Sequence, residues 1–236
     1  KTFLEWSALS VLILFTLVAV AGYGVFALHP NLIPDSDAAR DFFGRSFSLF
    51  ARVHIALSAL VLAIPLVTRI GFAWLPAFLA VFFLSFLSEF VGTGYGFPFG
   101  EYEYTSLLGY KLGGRVPALI PLSWFLMALP AWVISWRAFP GARQFWGRSL
   151  LGAYLLTAWD LALDPAMSFL TPYWTWADPG PFYGMPVVNL AGWMGTGVAL
   201  MVIMEVLGGR RWVGKVPGSW LAAYYGVVLL MPLGMV

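Results

Sequence analysis

Long apolar segments constrain this chain more than any other feature of its sequence. A helix needs roughly 20 mostly apolar residues to cross a hydrocarbon core about 30 Å thick. Runs of that length recur along the chain, and only 10% of its residues are charged. Because backbone polar groups in lipid must pair within the protein, such runs favour helices. The sequence therefore predicts an all-α, polytopic integral membrane protein with about seven transmembrane helices.

Gly, Pro and charged residues separate the apolar runs and set the bounds of the predicted spans. These lie near 3–28, 47–67, 71–92, 117–139, 149–170, 186–207 and 219–236. We predict that they form a single transmembrane domain over 1–236. The first run carries small residues at Ala19 and Ala21, as a signal-peptide cleavage site does. It continues to Leu28, however, which is the length of a span, so we predict a first transmembrane helix.

The basic residues are distributed unequally between the two ends of this predicted bundle. Eight of the 13 Lys and Arg residues lie at the end that holds the N-terminus and the loops after spans two, four and six. They are Lys1, Arg69, Arg137, Arg143, Arg148, Arg210, Arg211 and Lys215. The positive-inside rule therefore predicts a multi-pass protein of the cell membrane with its N-terminus in the cytoplasm.

Composition also excludes several classes of function. A net charge of +2, spread over scattered residues, does not indicate nucleic-acid binding. The absence of cysteine excludes thiolate nucleophiles, iron–sulfur clusters and Cys-based zinc sites. The two histidines, His29 and His54, are too few for a membrane oxygenase that holds two irons. We therefore predict no metal site.

Polar side chains concentrate at the end of the bundle opposite the basic loops. Asp160 and Asp164 lie one helical turn apart on one face of span five. Spans two, three and six and the loop after span three add further polar groups at this end. The polar residues that we single out are Arg52, His54, Glu89, Tyr95, Tyr102, Tyr104, Arg115, Asp160, Asp164, Asn189 and Trp193.

Two carboxyl groups on one membrane helix need an explanation, since each costs about 2.5 to 3.5 kcal/mol on insertion scales. One interpretation is a buried ion pair with Arg52 or Arg115 that fastens helices together. The other is catalytic: one buried carboxyl keeps its proton while its neighbour stays ionised, which separates an acid from a base. The residues alone leave both open.

Other features of this end are compatible with a pocket. Residues 92–100 contain five glycines or prolines, which predicts that the helix stops at Gly92 and that irregular backbone lines a cavity. His54 is either a buried structural histidine or a proton carrier. Trp124, Trp159 and Trp193 either belong to the interfacial aromatic belt or stabilise a developing cation with their ring faces.

Several spaced motifs in this region resemble one known family. Residues 94–105 read GYGFPFGEYEYT, and they follow Glu89 and precede LGYK at 108–111. Residues 157–165 read TAWDLALDP, and GMP at 184–186 precedes Asn189 and Trp193. Together these motifs, over about residues 85–195, resemble the bacterial and archaeal carotenoid 1,2-hydratases, which include bisanhydrobacterioruberin and γ-carotene 1′-hydratases. The first two spans and the last match that family only in character.

The resemblance implies a reaction and its partners. Enzymes of this family add water across the terminal carbon–carbon double bond of a linear carotenoid, without cofactor or oxygen, and produce a tertiary alcohol. The implied partners are a carotenoid substrate, water and membrane lipid. The site residues that the motifs imply are Glu89, Tyr102, Tyr104, Asp160, Asp164 and Asn189.

Roles for these residues follow from the chemistry of alkene hydration, which needs a proton donor, a stabilised cation and a held water. We predict that Asp160 is the acid and that Asp164 or Glu89 orients the water, with Tyr102 and Tyr104 completing the network. The assignment among the carboxyl groups stays open. The predicted substrate-binding residues are Tyr95, His54, Arg115, Trp124, Trp159, Asn189 and Trp193.

Four other functions are alternatives to hydration. An integral-membrane carotenoid cyclase begins with the same protonation, but its paired acidic motif after a proline is absent here. A prenyltransferase needs several aspartates to hold Mg²⁺, and only the Asp160–Asp164 pair is present. A non-catalytic carrier of lipid or pigment stays open. A retinal protein is excluded because the last predicted span has no lysine.

Overall fold

The computed structural model describes residues 1–141, 143–208 and 210–235. Its long helices are α1 (Thr2–Gly22), α2 (Asp37–Pro65), α3 (Leu75–Tyr95), α4 (Leu119–Ala138), α5 (Phe145–Asp164), α6 (Val187–Ile203) and α8 (Gly218–Leu233), with the short α7 (Arg210–Val213) between the last two. π-helical turns extend four of them, at Tyr23–Ala27, Leu66–Ile70, Pro165–Leu170 and Met204–Gly208. The strands are β1 (Tyr102–Tyr104), β2 (Lys111–Leu112), β3 (Val116–Pro117) and β4 (Trp174–Trp176).

The predicted all-α membrane fold is confirmed, with a helix in each of the seven predicted apolar segments. Within the described residues, five helices are long and apolar enough to cross a membrane: Thr2–Phe26, Asp37–Ile70, Leu75–Tyr95, Leu119–Ala138 and Val187–Gly208. Gly218–Leu233 is apolar but shorter. The remaining long helix, α5, carries Arg148, Asp160 and Asp164 and is not among these five.

The second helix begins ten residues before the predicted span. Ser36 caps its N-terminus, with Oγ accepting a hydrogen bond from the Ala39 amide at 3.2 Å. Arg45 pairs with Asp41 one turn away at 2.9 Å, which supports helix in a segment too polar to be recognised as a span. We had predicted a loop for this segment.

The third helix also differs from its prediction, because it continues through Gly92 and Gly94 to Tyr95. It ends at Gly96, whose φ of 71° is left-handed and whose amide bonds to the Gly92 carbonyl at 2.9 Å. The prediction that the glycines stop the helix at Gly92 was therefore wrong. A glycine costs a helix only about 1 kcal/mol, which packing on both sides offsets here.

Helix α4 lies at the centre of the bundle and packs against α2, α3, α5, α6 and α8. The closest helix pair is α5 with α6. A Cβ placed on Gly197 would lie 3.1 Å from the Cα of Ala153, so the two backbones approach through small residues. This pair carries Asp160, Asp164 and Asn189.

Buried ion pairs mark the basic end of the bundle. Arg69 pairs with Glu5 at 2.6 Å, and Arg148 pairs with Glu205 at 2.8 Å. The Arg148 guanidinium also lies 3.9 Å from the centre of the Trp136 ring. The side chains of Arg210 and Arg211, which we counted with this end, and Val236 of the last predicted span lie outside the described part of the chain.

Short antiparallel strands cover the opposite end. Strand β1 pairs with β4 so that Tyr102 lies opposite Trp176 and Tyr104 opposite Trp174, while β2 pairs with β3. The β4 segment was predicted as part of a loop. These strands place aromatic side chains directly against the ends of α3, α4, α5 and α6.

Candidate active site

Glu89 occupies the buried last part of α3 and accepts hydrogen bonds on both carboxyl oxygens. The Trp124 indole N–H donates to Oε1 at 2.8 Å. The Tyr104 hydroxyl donates to Oε2 at 2.8 Å, and the Tyr102 hydroxyl donates to the same oxygen. A carboxylate that receives three donors has the partners expected of the ionised form, which accepts and does not donate.

Tyr102 and Tyr104 reach Glu89 together because alternate residues of a strand point to the same side. Across the ladder, the Tyr102 ring packs on Trp176 at 5.1 Å between centroids, and Tyr104 meets the edge of Trp174 at 5.8 Å. Burial, reinforced by the charge of Glu89, raises the pKa of both phenols well above the usual range. Both hydroxyls therefore remain protonated donors at physiological pH.

Asn189 joins the two aspartates of α5. Its amide nitrogen donates to Asp160 Oδ2 at 2.9 Å and to Asp164 Oδ2 at 2.5 Å. The indole N–H of Trp174 donates to Asp164 Oδ1 at 2.9 Å. All three polar side chains are almost completely buried, with 0% of Asp160 and 2% each of Asp164 and Asn189 exposed.

Asp160 Oδ1 stands apart from the other carboxyl oxygens of the site. It is buried, and no group in the described part of the chain forms a hydrogen bond with it. The ion pair that we had considered for these aspartates does not form. Arg52 instead donates to the Leu107 carbonyl at 2.8 Å, and the Arg115 guanidinium lies 5.1 Å from the centre of the Phe90 ring. That structural interpretation was wrong because Arg52 bonds to loop carbonyls and Arg115 lies over a ring of α3, and neither forms an ion pair with the aspartates.

Tryptophan rings form the apolar wall beside the carboxyl groups. Trp124 and Trp193 stack with their ring centroids 4.0 Å apart, and Trp159 lies 6.0 Å from Trp193. The cavity that these groups line has a volume of about 30 Å³, enough for a water molecule. It is lined by Glu89, Phe99, Tyr102, Tyr104, Ile120, Ser123, Trp124, Asp160, Leu163, Asp164, Trp174, Trp176, Asn189 and Trp193.

A second pocket adjoins this active-site cavity and shares Tyr102, Tyr104 and Trp176 with it. It has a volume of about 340 Å³, and its lining includes four charged side chains: Glu101, Glu103, Lys111 and Arg115. We call it the polar pocket. Within the described residues, no group of three or more His, Asp or Glu side chains could hold a metal ion.

Residues 50–235 match the sequence profile of the family described as carotenoid biosynthesis protein. The chain belongs to this family. The match confirms, at the level of the family, the resemblance that the motifs predicted. It includes every residue that lines the active-site cavity and excludes α1.

A curated relative carries a more specific name. The chain is 29% identical over 205 residues to the bisanhydrobacterioruberin hydratase of Haloarcula japonica, covering 86% of this chain and 66% of the relative. The chain thus spans about two thirds of that protein's length. No solved structure matches the present chain.

The structure brings most of the sequence-predicted site residues together. Glu89, Tyr102, Tyr104, Asp160, Asp164, Asn189, Trp124 and Trp193 all line the cavity, and Trp159 packs behind it. Tyr95 does not, because its side chain is 81% exposed beyond the end of α3. Arg115 lines the polar pocket, and His54 lines a neighbouring apolar cavity; the His54 Nε2 lies 3.1 Å from Thr16 Oγ1.

Sequence reasoning missed Trp174, Trp176, Phe99 and Ser123. The alternation Trp174-Thr175-Trp176 mirrors Tyr102-Glu103-Tyr104, and two aromatic triplets of period two are a signal for paired strands. The position of Phe99 is linked to two glycines that pack against its ring. A Cβ on Gly92 would lie 2.9 Å from the Phe99 ring, and one on Gly192 would lie 2.6 Å from it. Both glycines therefore leave space for that ring.

Proposed function

We propose that this protein is a membrane-embedded carotenoid hydratase. It adds water across the terminal 1,2 double bond of a linear carotenoid end, of the lycopene, γ-carotene or C50 type, and forms a tertiary alcohol. The family match and the name of the Haloarcula relative support this substrate class and reaction. In this proposal no cofactor takes part, because the acids, bases and aromatic rings of the chain supply the groups that hydration requires.

The observation that carries the proposal is a set of three buried carboxyl groups of which, among the described residues, only Asp160 has an oxygen without a hydrogen-bond donor, Oδ1. Asp160 and Asp164 share one amide donor, and neither is ion-paired in the described part of the chain. Two adjacent buried anions without a cation are very unfavourable, so a proton held by the pair stabilises it. We assign that proton to Asp160.

Protonation of the alkene is the first step. Asp160 transfers its proton to the less substituted carbon, and the π electrons form the new C–H bond. The neighbouring tertiary carbon becomes a cation beside the stacked rings of Trp124 and Trp193, whose faces are electron-rich. The ring faces therefore stabilise the charge without forming a covalent bond to the cation.

Capture of water completes the reaction. The Asp164 carboxylate orients the water and accepts one of its protons as the oxygen bonds to the cation. That proton then passes from Asp164 back to Asp160, whose carboxyl groups are bridged by Asn189. This transfer restores the starting state. Glu89, with Tyr102 and Tyr104, supports the polar wall on which the water is held.

The test is incubation of the purified protein with lycopene in ¹⁸O-labelled water, without oxygen, added metal or cofactor. We expect a product heavier than lycopene by one labelled water, with the label in the new hydroxyl group. A product of unchanged mass would indicate a cyclase. Binding of the carotenoid without turnover would indicate a carrier, and a requirement for oxygen would exclude both hydration and cyclisation.

We also propose that the whole chain acts as one transmembrane domain of the cell membrane, with its N-terminus in the cytoplasm. The basic end supports this orientation, because it gathers the N-terminus, Arg69, Arg137 and Lys215 through contacts between their segments. The active-site cavity then lies toward the non-cytoplasmic side.

A further inference from the structure

We propose that the apolar cavity between α2, α4, α5 and α8 binds the polyene chain of the substrate, directly behind the alkene that reacts. This inference rests on the proposed hydratase function and adds a binding site to it. The ligand is a linear isoprenoid hydrocarbon, which is recognised through apolar contact and shape.

The apolar cavity adjoins the active-site cavity. Ile120 and Ser123 of α4, Leu163 of α5 and Trp174 of β4 line both. A substrate whose terminal alkene lies beside Asp160 therefore has an apolar path past these four residues. The cavity has a volume of about 60 Å³. Along α4 it extends from Ile120 to Met127, about 10 Å at 1.5 Å per residue.

The chemistry of the lining matches a polyene. Four of the eight methionines of the chain line this cavity: Met127, Met167, Met231 and Met235. Methionine is flexible and polarisable, so it adapts to an elongated conjugated chain. The other neighbour of the site, the polar pocket, is lined by Glu101, Glu103, Lys111 and Arg115 and does not suit a hydrocarbon. Of the two pockets next to the carboxyl groups, one is therefore lined by charged side chains and the other by apolar side chains.

Small side chains keep the cavity open on the α2 side. Ala51 and Ser58 both line it and are buried, and Val228 faces it from α8. A phenylalanine at Ala51 or Val228 would occupy space that we assign to the polyene, without touching the carboxyl groups.

The experiment compares filling variants with matched variants on the outer surface of the same helices. Ala51→Phe and Val228→Phe fill the cavity, while Ala56→Phe and Ala222→Phe place the same side chain on exposed faces of α2 and α8. We expect both filling variants to lose about tenfold or more in kcat/KM for lycopene, a loss of about 1.4 kcal/mol, mainly through KM. The surface variants should stay within about twofold of the wild type.

A second measurement on the wild type keeps the proposal testable if the filling variants do not fold. A saturated isoprenoid hydrocarbon has no alkene to protonate, and it should inhibit lycopene hydration competitively. Unchanged kcat/KM in folded filling variants, or no inhibition by the saturated chain, would overturn the polyene site. In either case the wild type would still hydrate lycopene. A wild type that does not hydrate lycopene would instead refute the proposed function itself.

Discussion

At the scale of single residues, the three buried carboxyl groups differ in the hydrogen bonds that they accept. Glu89 accepts three and Asp164 accepts two, whereas Asp160 accepts one and leaves Oδ1 without a partner in the described part of the chain. A protonated carboxyl needs an oxygen from which it can donate. Asp160 is therefore the one placed to carry a proton toward an apolar substrate.

Replacing Asp160 by asparagine tests this assignment. An amide is nearly isosteric but cannot protonate an alkene, so we expect Asp160→Asn to lower kcat by about 10²- to 10⁴-fold with the fold intact. Asp164→Asn should be similarly damaging because it removes the base. Rates of lycopene hydration and thermal melting curves measure the two effects separately.

Glu103→Gln is the matched control for these variants. Glu103 lies on β1 between the two site tyrosines, but its side chain points away from Glu89 and lines the polar pocket. We expect activity within about twofold of the wild type. Wild-type turnover by a folded Asp160→Asn protein would remove Asp160 from the role of acid.

The sequence could predict residues whose relationship is local. Asp160 and Asp164 share a helix face because of their spacing, and Tyr102 and Tyr104 share a strand face for the same kind of reason. The contact of Trp174 with Asp164 depends on the pairing of β1 with β4, two segments about 70 residues apart, which local pattern does not specify. The predictions that Tyr95 and Arg115 belong to the site were wrong, because closeness along the chain does not determine which side chains point into the cavity.

At the scale of helices, the close packing of α5 against α6 fixes the distance between Asn189 and the two aspartates. We expect Gly197→Leu to separate these helices, because even a Cβ there would lie 3.1 Å from the Ala153 backbone. Overpacking of this kind costs about 1 to 3 kcal/mol of stability. We also expect a loss of activity, measured as kcat, since the hydrogen bonds of Asn189 would lengthen.

Gly195→Leu provides the comparison on the same helix. A Cβ on Gly195 would meet nothing within 4 Å, and the position is exposed. We expect its melting temperature and kcat to stay near those of the wild type. Equal damage from both variants would show that the loss does not come from the α5–α6 contact.

The bounds of helices were harder to predict than their existence. Apolar length is an average over roughly 20 residues, so it identifies a span even when its ends are unclear. The ends depend on single interactions, such as the Ser36 cap of α2 and the left-handed Gly96 after α3. For α2, helix also extends past the apolar run into charged residues, which a hydropathy pattern assigns to a loop.

At the scale of the whole molecule, a buried ion pair stabilises the basic end. The Arg148 guanidinium donates twice to Glu205 and twice to the carbonyls of Phe139 and Gly141. Arg148→Met would leave Glu205 buried without a cation, and we expect a loss of about 3 to 5 kcal/mol. Thermal unfolding in detergent measures this loss.

The exposed pair of Arg45 with Asp41 is the control for that prediction. Both of its side chains are largely exposed, at 80% and 60%. We expect Arg45→Gln to change stability by no more than about 1 kcal/mol. Similar melting curves for Arg148→Met and the wild type would mean that the Arg148–Glu205 pair contributes no net stability.

The orientation in the membrane can be measured by cysteine labelling, because the chain has no cysteine of its own. Glu103→Cys and Arg143→Cys each introduce one exposed thiol, at opposite ends of the bundle. With the N-terminus in the cytoplasm, a membrane-impermeant maleimide should label Glu103→Cys on intact cells. Arg143→Cys should be labelled only after permeabilisation, and the reverse pattern would invert the topology.

The polar pocket and the carboxyl groups lie at one end of the bundle, and this has a consequence for cellular energetics. A group exposed to one compartment exchanges protons with that compartment alone. In the proposed reaction the proton lent to the alkene is regained from the captured water, so no net charge crosses the bilayer. Each elementary charge moved through 100 mV is worth about 2.3 kcal/mol, and here none is moved. Turnover should therefore neither draw on the membrane potential nor dissipate it.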